Sequence, residues 1–255
     1  MYRATTLALC GKGGVGKTSV SAMMVKMLAQ KLNQKILAID ADPAVGLATA
    51  LGITVRKSVD DIRKGLINGI QKGQTQDRQE TSRRLDYEVF EALEEGDGFS
   101  FLAIGRPEDE GCFCRVNSLL KDIIAELASN FDIVLIDGEA GVEQINRRVM
   151  KTVDHLVLVS DTSAKGVGVA NTIAHVAKQN RAVDCKQIGL VLNRVRGENE
   201  VRDIQTRTNL DVYGWVFEED LIRDFDFKGK TLTLMPDTSR ALNSVAGVLE
   251  KIGIN

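Results

Sequence analysis

Two short stretches of this 255-residue chain carry residue types and spacings that could do chemistry. The first is Gly11-Lys12-Gly13-Gly14-Val15-Gly16-Lys17-Thr18, with Ser19 next in line. It follows an apolar run and opens a helical pattern. That is the context in which glycines let a backbone wrap a phosphate chain with its N–H groups pointing inward. Lys17 is placed to reach β and γ phosphates, and the Thr18 hydroxyl to bind Mg²⁺. The second stretch is Arg106-Pro107-Glu108-Asp109-Glu110-Gly111-Cys112-Phe113-Cys114-Arg115. Two thiolates one residue apart on a polar loop suit Zn²⁺, Ni²⁺ or Cu⁺. As buried thiols they would be inert small hydrophobes, but the acidic flank and Arg115 argue against burial. One pair gives two ligands where a closed site needs four. A two-fold interface sets the same loop opposite itself, so the expectation is one metal shared by Cys112 and Cys114 of both chains.

These loops need elements to hold them. Short runs rich in Val, Ile and Leu at 6–10, 36–39, 99–104, 133–136, 156–159, 189–192 and 212–216 read as strands covered on both faces. Helical patterns lie between most of them, for example at 17–31, 117–127, 167–178 and 239–252. The alternation predicts an α/β fold: a doubly wound, mostly parallel sheet with helices on both faces. Ligands in such sheets bind beyond the carboxyl ends of the strands. There the sequence puts the glycine loop, Asp40 and Asp42, Asp137, and Asn193. With three prolines and no Ser/Gly/Pro-rich linker, one domain over 1–255 is expected. The charged stretch 55–98, poor in strand signals, is expected as a mobile helical insertion.

Composition narrows the classes of partner. Net charge is -2 with no block of like charges, so no nucleic-acid partner is expected. No apolar run approaches the ~20 residues of a bilayer span, and Leu242, Val245, Ala246, Leu249 and Ile252 form a core-like stripe with little basic flank, so no membrane partner is expected either. The N-terminal residues lack the pattern of a secretory leader. The expected compartment is the cytoplasm, where four cysteines stay reduced. Cys10, Cys185 and Trp215 read as structural, and His155 and His175 as isolated residues without ligand spacing.

The form Gly-Lys-Gly-Gly-x-Gly-Lys-Thr, with lysine second, resembles the deviant Walker A loop of the dimerising P-loop ATPases that include MinD, ParA, the nitrogenase iron protein and the CooC-type nickel chaperones. The resemblance implies that Lys12 reaches across a dimer to the partner's nucleotide. Asp40-Ala41-Asp42-Pro43 is similar to that class's switch I, with Asp42 orienting the attacking water; otherwise the two aspartates cap the next segment. The implied catalytic set is Lys12, Lys17 and Asp42. Asp137-Gly138-Glu139-Ala140-Gly141 resembles the Walker B strand running into switch II, implying a magnesium set of Thr18, Asp42 and Asp137. Asn193-Arg194 resembles the adenine-reading position, or an ordinary strand-end turn. Phe217 and Glu218 stand where the class often has a proline near the base. Gly111 to Leu119, Asp137 to Gln144 and Asn193 to Arg196 closely resemble the CooC-type subfamily. This implies an ATP-dependent homodimer that forms on binding nucleotide or metal. It would carry ATP, Mg²⁺ and Ni²⁺ (or Zn²⁺), and serve a nickel enzyme client, carbon monoxide dehydrogenase or acetyl-CoA synthase. Two alternatives remain open: a MinD/ParA-like positioning ATPase, and an iron–sulfur ATP-dependent reductase.

Overall fold

A computed structural model describes residues 4–31, 33–72, 78–106, 114–139, 141, 145, 149–180 and 184–254. Eight strands form one sheet: β1 (Thr5–Cys10), β2 (Ile36–Asp40), β3 (Glu94–Glu95), β4 (Ser100–Ala103), β5 (Ile133–Asp137), β6 (Thr152–Ser160), β7 (Asp184–Val195) and β8 (Asp211–Phe217). Their order is β3-β4-β2-β5-β1-β6-β7-β8. Every pair is parallel except β3–β4, which is antiparallel. All seven strands expected from apolar runs form. β3 adds a two-residue edge that the sequence did not signal, because two glutamates carry no alternation. The central strands β1, β2 and β5 are almost wholly buried, which is why they lack the polar alternation of a half-exposed strand.

Helices cover both faces. On one side lie α1 (Lys17–Ala29), α2 (Gly46–Leu51), a 3₁₀ turn (Leu232–Leu234) and α9 (Arg240–Lys251), around a core that includes Leu7, Leu9, Met23, Met24, Leu135, Leu242 and Val245. The other side holds α3 (Val59–Gln71), α4 (Arg78–Glu91), α5 (Cys114–Ala128), α6 (Ala164–Asn180) and α7 (Glu198–Gln205), around Ala8, Leu37, Ile39, Ile124, Ile136 and Leu158. α8 (Asp220–Phe227) follows β8. α1 buries nine of its 13 residues, Lys17 and Lys26 among them, so it is covered nearly all round, as a helix packed between other elements is.

The stretch 55–98 provides α3 and α4. Each buries an apolar stripe, Val59, Ile62 and Ile67 on α3 and Leu85 and Val89 on α4, against the face that α5 also covers. A capping box starts α3: Ser58 Oγ accepts from Asp61 N, and the Asp61 carboxylate accepts from Ser58 N. α9 likewise turns Leu242, Val245 and Leu249 into the core. No helix among the described residues is long and apolar enough to cross a membrane.

Candidate nucleotide site

Parallel pairing brings the chemistry to one edge of the sheet. Asp40 ends β2 and Asp137 ends β5, and the two are register partners; Asp137 is also level with Leu9 near the end of β1. Two carboxylates thus sit side by side where the phosphate loop leaves β1. Both are buried, at 0% and 1% exposure. Burial, then the charge of Asp137, pushes the Asp40 carboxyl from 3.8 to about 7, against backbone N–H bonds that favour its charged form. Burial pushes Asp137 up to about 6, opposed by Ser21, Thr18 and Lys17 and reinforced by Asp42.

Each carboxylate has a separate task. Asp40 Oδ1 accepts from Asp42 N at 3.1 Å and Oδ2 from Leu47 N at 2.8 Å, so it holds both ends of the loop between β2 and α2. Asp137 Oδ1 accepts from Ser21 Oγ of α1 at 2.8 Å, while its Oδ2 is buried with no hydrogen-bond partner. An orphaned carboxylate oxygen next to a second acid is a poor arrangement by itself, because an unmatched buried acceptor is costly. It fits a hydrated divalent cation. Thr18 with Asp137 would hold Mg²⁺ there, Asp137 through water, and the ion would supply charge neutralisation to the phosphates.

The loop itself is built around one glycine in particular. Gly16 has φ 87° and caps α1 in the left-handed region. A Cβ there would meet Asn193 Nδ2 at 2.4 Å. The Asn193 amide, buried to 5% exposure, donates to Val15 O at 2.8 Å, so the end of β7 braces the loop. The adenine-reading role implied by resemblance has to share that amide with this brace. Lys17 is buried at 8% exposure, and its Nζ donates to Lys12 O at 3.4 Å, folding back over the loop. Lys12 is half-buried, Gly13 and Gly14 exposed, Thr18 and Ser19 half-buried.

Asp42 is half-buried, and its Oδ1 accepts from Ala44 N at 2.9 Å. Val45 follows at φ 51°. That region is rarely occupied by a β-branched residue, and holding one there costs about 1–3 kcal/mol. A cleft of about 450 Å³ opens above the loop, lined by Gly13, Lys17, Asp42, Pro43, Ala44, Arg106 and Glu139. Gly138 N donates to Leu9 O at 2.9 Å, which ties the start of the second switch stretch to β1; Gly141 O accepts from Cys10 Sγ at 3.7 Å. Ala140 lies outside the described residues.

On the base side, Arg194 takes φ 58° at the end of β7 and is exposed. Arg196 Nε donates to Glu218 Oε2 at 2.7 Å, and Glu218 N to Val195 O at 2.9 Å, which joins the ends of β7 and β8. The Arg240 guanidinium lies 3.4 Å over the Phe217 ring, and Trp215 meets that ring edge-on at 6.5 Å. Ser21 and Arg240 escape a reading by motif, because their partners are 116 and 23 positions away and no local spacing announces them.

Cys112 lies outside the described residues, and so does the side chain of Cys114, the first residue of α5. Among the described residues no group of three or more His, Cys, Asp or Glu side chains converges as a metal site.

Comparison with known proteins agrees with this geometry. The family model for the CobQ/CobB/MinD/ParA nucleotide binding domain matches residues 7–232. An uncharacterized ATP-binding protein of Methanocaldococcus jannaschii is 36% identical over 251 residues, 96% of this chain and 97% of its own length. The carbon monoxide dehydrogenase accessory protein CooC of Rhodospirillum rubrum is 27% identical over 261 residues, 97% of each. Among solved structures, the MinD cell division protein of Aquifex aeolicus superposes with a TM-score of 0.69 at 18% identity, over 98% of this chain and 96% of that one.

Proposed function

This chain belongs to the CobQ/CobB/MinD/ParA nucleotide-binding family and is an ATPase of the MinD/ParA kind; on that premise we propose that it couples ATP turnover to the handling of a thiophilic metal ion. The phosphate chain would lie along Gly11 to Thr18 with Lys17 on its outer oxygens, and Asp42 would orient the attacking water. Lys12 would complete the partner's site in a homodimer. The cargo, Ni²⁺ or Zn²⁺, would be held by Cys112 and Cys114 of two subunits, four thiolates around one ion.

The observation that carries this reading is where the thiol pair falls in the chain. β4 ends at the nucleotide edge, Arg106 lines the phosphate cleft, and α5 begins at Cys114. The connection that bears the thiols therefore starts at the wall of the ATP site. The full-length likeness to a protein named as a carbon monoxide dehydrogenase accessory factor supports a nickel enzyme, carbon monoxide dehydrogenase or acetyl-CoA synthase, as the client.

Two ligands that favour one dimeric state must be positively coupled, and the coupling is reciprocal. Light scattering on the purified chain should show nickel raising the dimer fraction, and ATP raising nickel affinity. Replacing both thiols, Cys112→Ala with Cys114→Ala, should remove the response to nickel while leaving the response to ATP. Nickel-driven dimerisation that survives the double substitution would refute the shared site. It would favour a positioning ATPase instead, for which cosedimentation with liposomes and DNA is the direct assay.

A further inference from the structure

One residue that lines the phosphate cleft belongs neither to the phosphate loop nor to the two switch stretches. Arg106 lines it together with Gly13, Lys17, Asp42 and Glu139. The side chain is exposed, and it makes no ion pair among the described residues.

The backbone leading to Arg106 is fixed from several directions. Ile104 N donates to Asp40 O at 2.9 Å, and Ile104 O accepts from Asp60 N at 2.9 Å. Gly105 comes next at φ 81°, and a Cβ there would lie 2.7 Å from Ser58 Oγ and 3.2 Å from Asp60 Cβ. Only glycine fits both the dihedral and the space. The capped start of α3 therefore presses the chain into a tight turn, and that turn delivers Arg106 to the cleft.

The cleft lining holds two cations, Lys17 and Arg106, and two carboxylates, Asp42 and Glu139. Lys17, on the loop, would reach the outer oxygens from its own side, where its Nζ donates to Lys12 O; Arg106 is the second cation of the lining. A triphosphate brings one more phosphoryl group and more negative charge than a diphosphate, and it brings them to the outer end of the chain. A planar guanidinium with several N–H donors matches terminal phosphoryl oxygens better than a point charge does.

We infer that Arg106 binds the terminal phosphate of ATP and is the residue by which this site tells ATP from ADP. The inference rests on ATP occupying this cleft, as proposed above. Arg106 is a binding residue here: it neutralises charge on the outer phosphoryl group, and no proton or bond is assigned to it.

The test uses the full-length chain with magnesium, a non-hydrolysable ATP analogue and ADP, measured by calorimetry for the wild type, Arg106→Ala and Arg106→Lys. Loss of a charge-assisted contact should weaken the ATP analogue by about 10- to 100-fold in the alanine variant. ADP affinity should change by less than about two-fold. Lysine should restore part of the loss, since it keeps the charge without the fork. Equal weakening of both nucleotides would overturn the inference, as a general electrostatic or folding effect acts on both. Unchanged affinity for both would also overturn it. If the wild type binds neither nucleotide, the ATP reading of the cleft fails; if the wild type binds both and the variants match it, only the role of Arg106 fails.

Discussion

Replacing Asp137 by asparagine should stabilise the protein at alkaline pH while abolishing its turnover. The carboxyl is 1% exposed and its Oδ2 has no partner. Burial lifts it from 3.8 to about 6, which corresponds to about 3 kcal/mol against the charged form. The sign follows from linkage. The folded value lies above the unfolded one, so the fold favours the protonated acid. The penalty is absent below about 3.8, grows as pH rises, and is complete above about 6. Asparagine keeps the shape and can still accept from Ser21 Oγ, but it never carries the charge. It also removes the second-largest cause lifting Asp40. Part of the gain is lost because an amide N–H₂ left in the orphan position is itself unmatched. Urea unfolding without nucleotide or magnesium should show Asp137→Asn more stable than wild type by about 1–3 kcal/mol at pH 8. The difference should shrink toward zero near pH 4. Magnesium-dependent ATP hydrolysis should fall at least about 100-fold, the scale of losing a preorganised electrostatic group. A variant less stable than wild type at pH 8, or a gain that does not vary with pH, would refute the account of Asp137 as a buried charge held ready for a cation.

Two other substitutions probe the loops around the cleft. Asn193→Ala leaves the buried Val15 carbonyl unmatched, so thermal or chemical unfolding should show a loss of about 1–3 kcal/mol. ATP and GTP should weaken together, whereas a change in the ATP to GTP preference would show base reading to be the amide's main task. Val45→Gly relieves a β-branched residue at φ 51° and should gain up to about 1 kcal/mol in unfolding experiments, a net of strain relief and glycine's greater unfolded-state freedom; a loss above that size would mean that packing by Val45 outweighs its backbone cost.

The sheet was legible in the sequence because parallel strands buried on both faces are nearly unbroken in Val, Ile and Leu. Their polar terminators, Asp40, Asp137 and Asn193, marked the ligand edge for the same reason: a polar side chain at the end of such a run has few other places to go. β3 was not legible, since Glu94 and Glu95 join the sheet only through their backbone pairing with Phe101 and Ser100. The charge of the stretch 55–98 concealed how much α3 and α4 bury. Val59, Ile62 and Ile67 are spaced for one helix face, and Ser58-x-x-Asp61 is a helix-start signature that density of charge drew attention away from. The roles of Ser21 and of the Asn193 amide depend on contacts made across 116 and 178 positions. Only the folded chain brings such pairs together.

Segment 41–47 hangs from one buried side chain. The amides of Asp42 and Leu47 reach the two oxygens of the same Asp40 carboxylate, and the main chain of Asp40 carries Ile104, two residues before Arg106. The two ends of the segment therefore cannot part company independently. Any pull on Asp42 that shifts this carboxylate is felt at Leu47 and the start of α2, and through β2 at the strand end that presents Arg106. A change at the outer phosphate has, in this arrangement, a short and stiff lever by which to reach Arg106 in its own binding cleft.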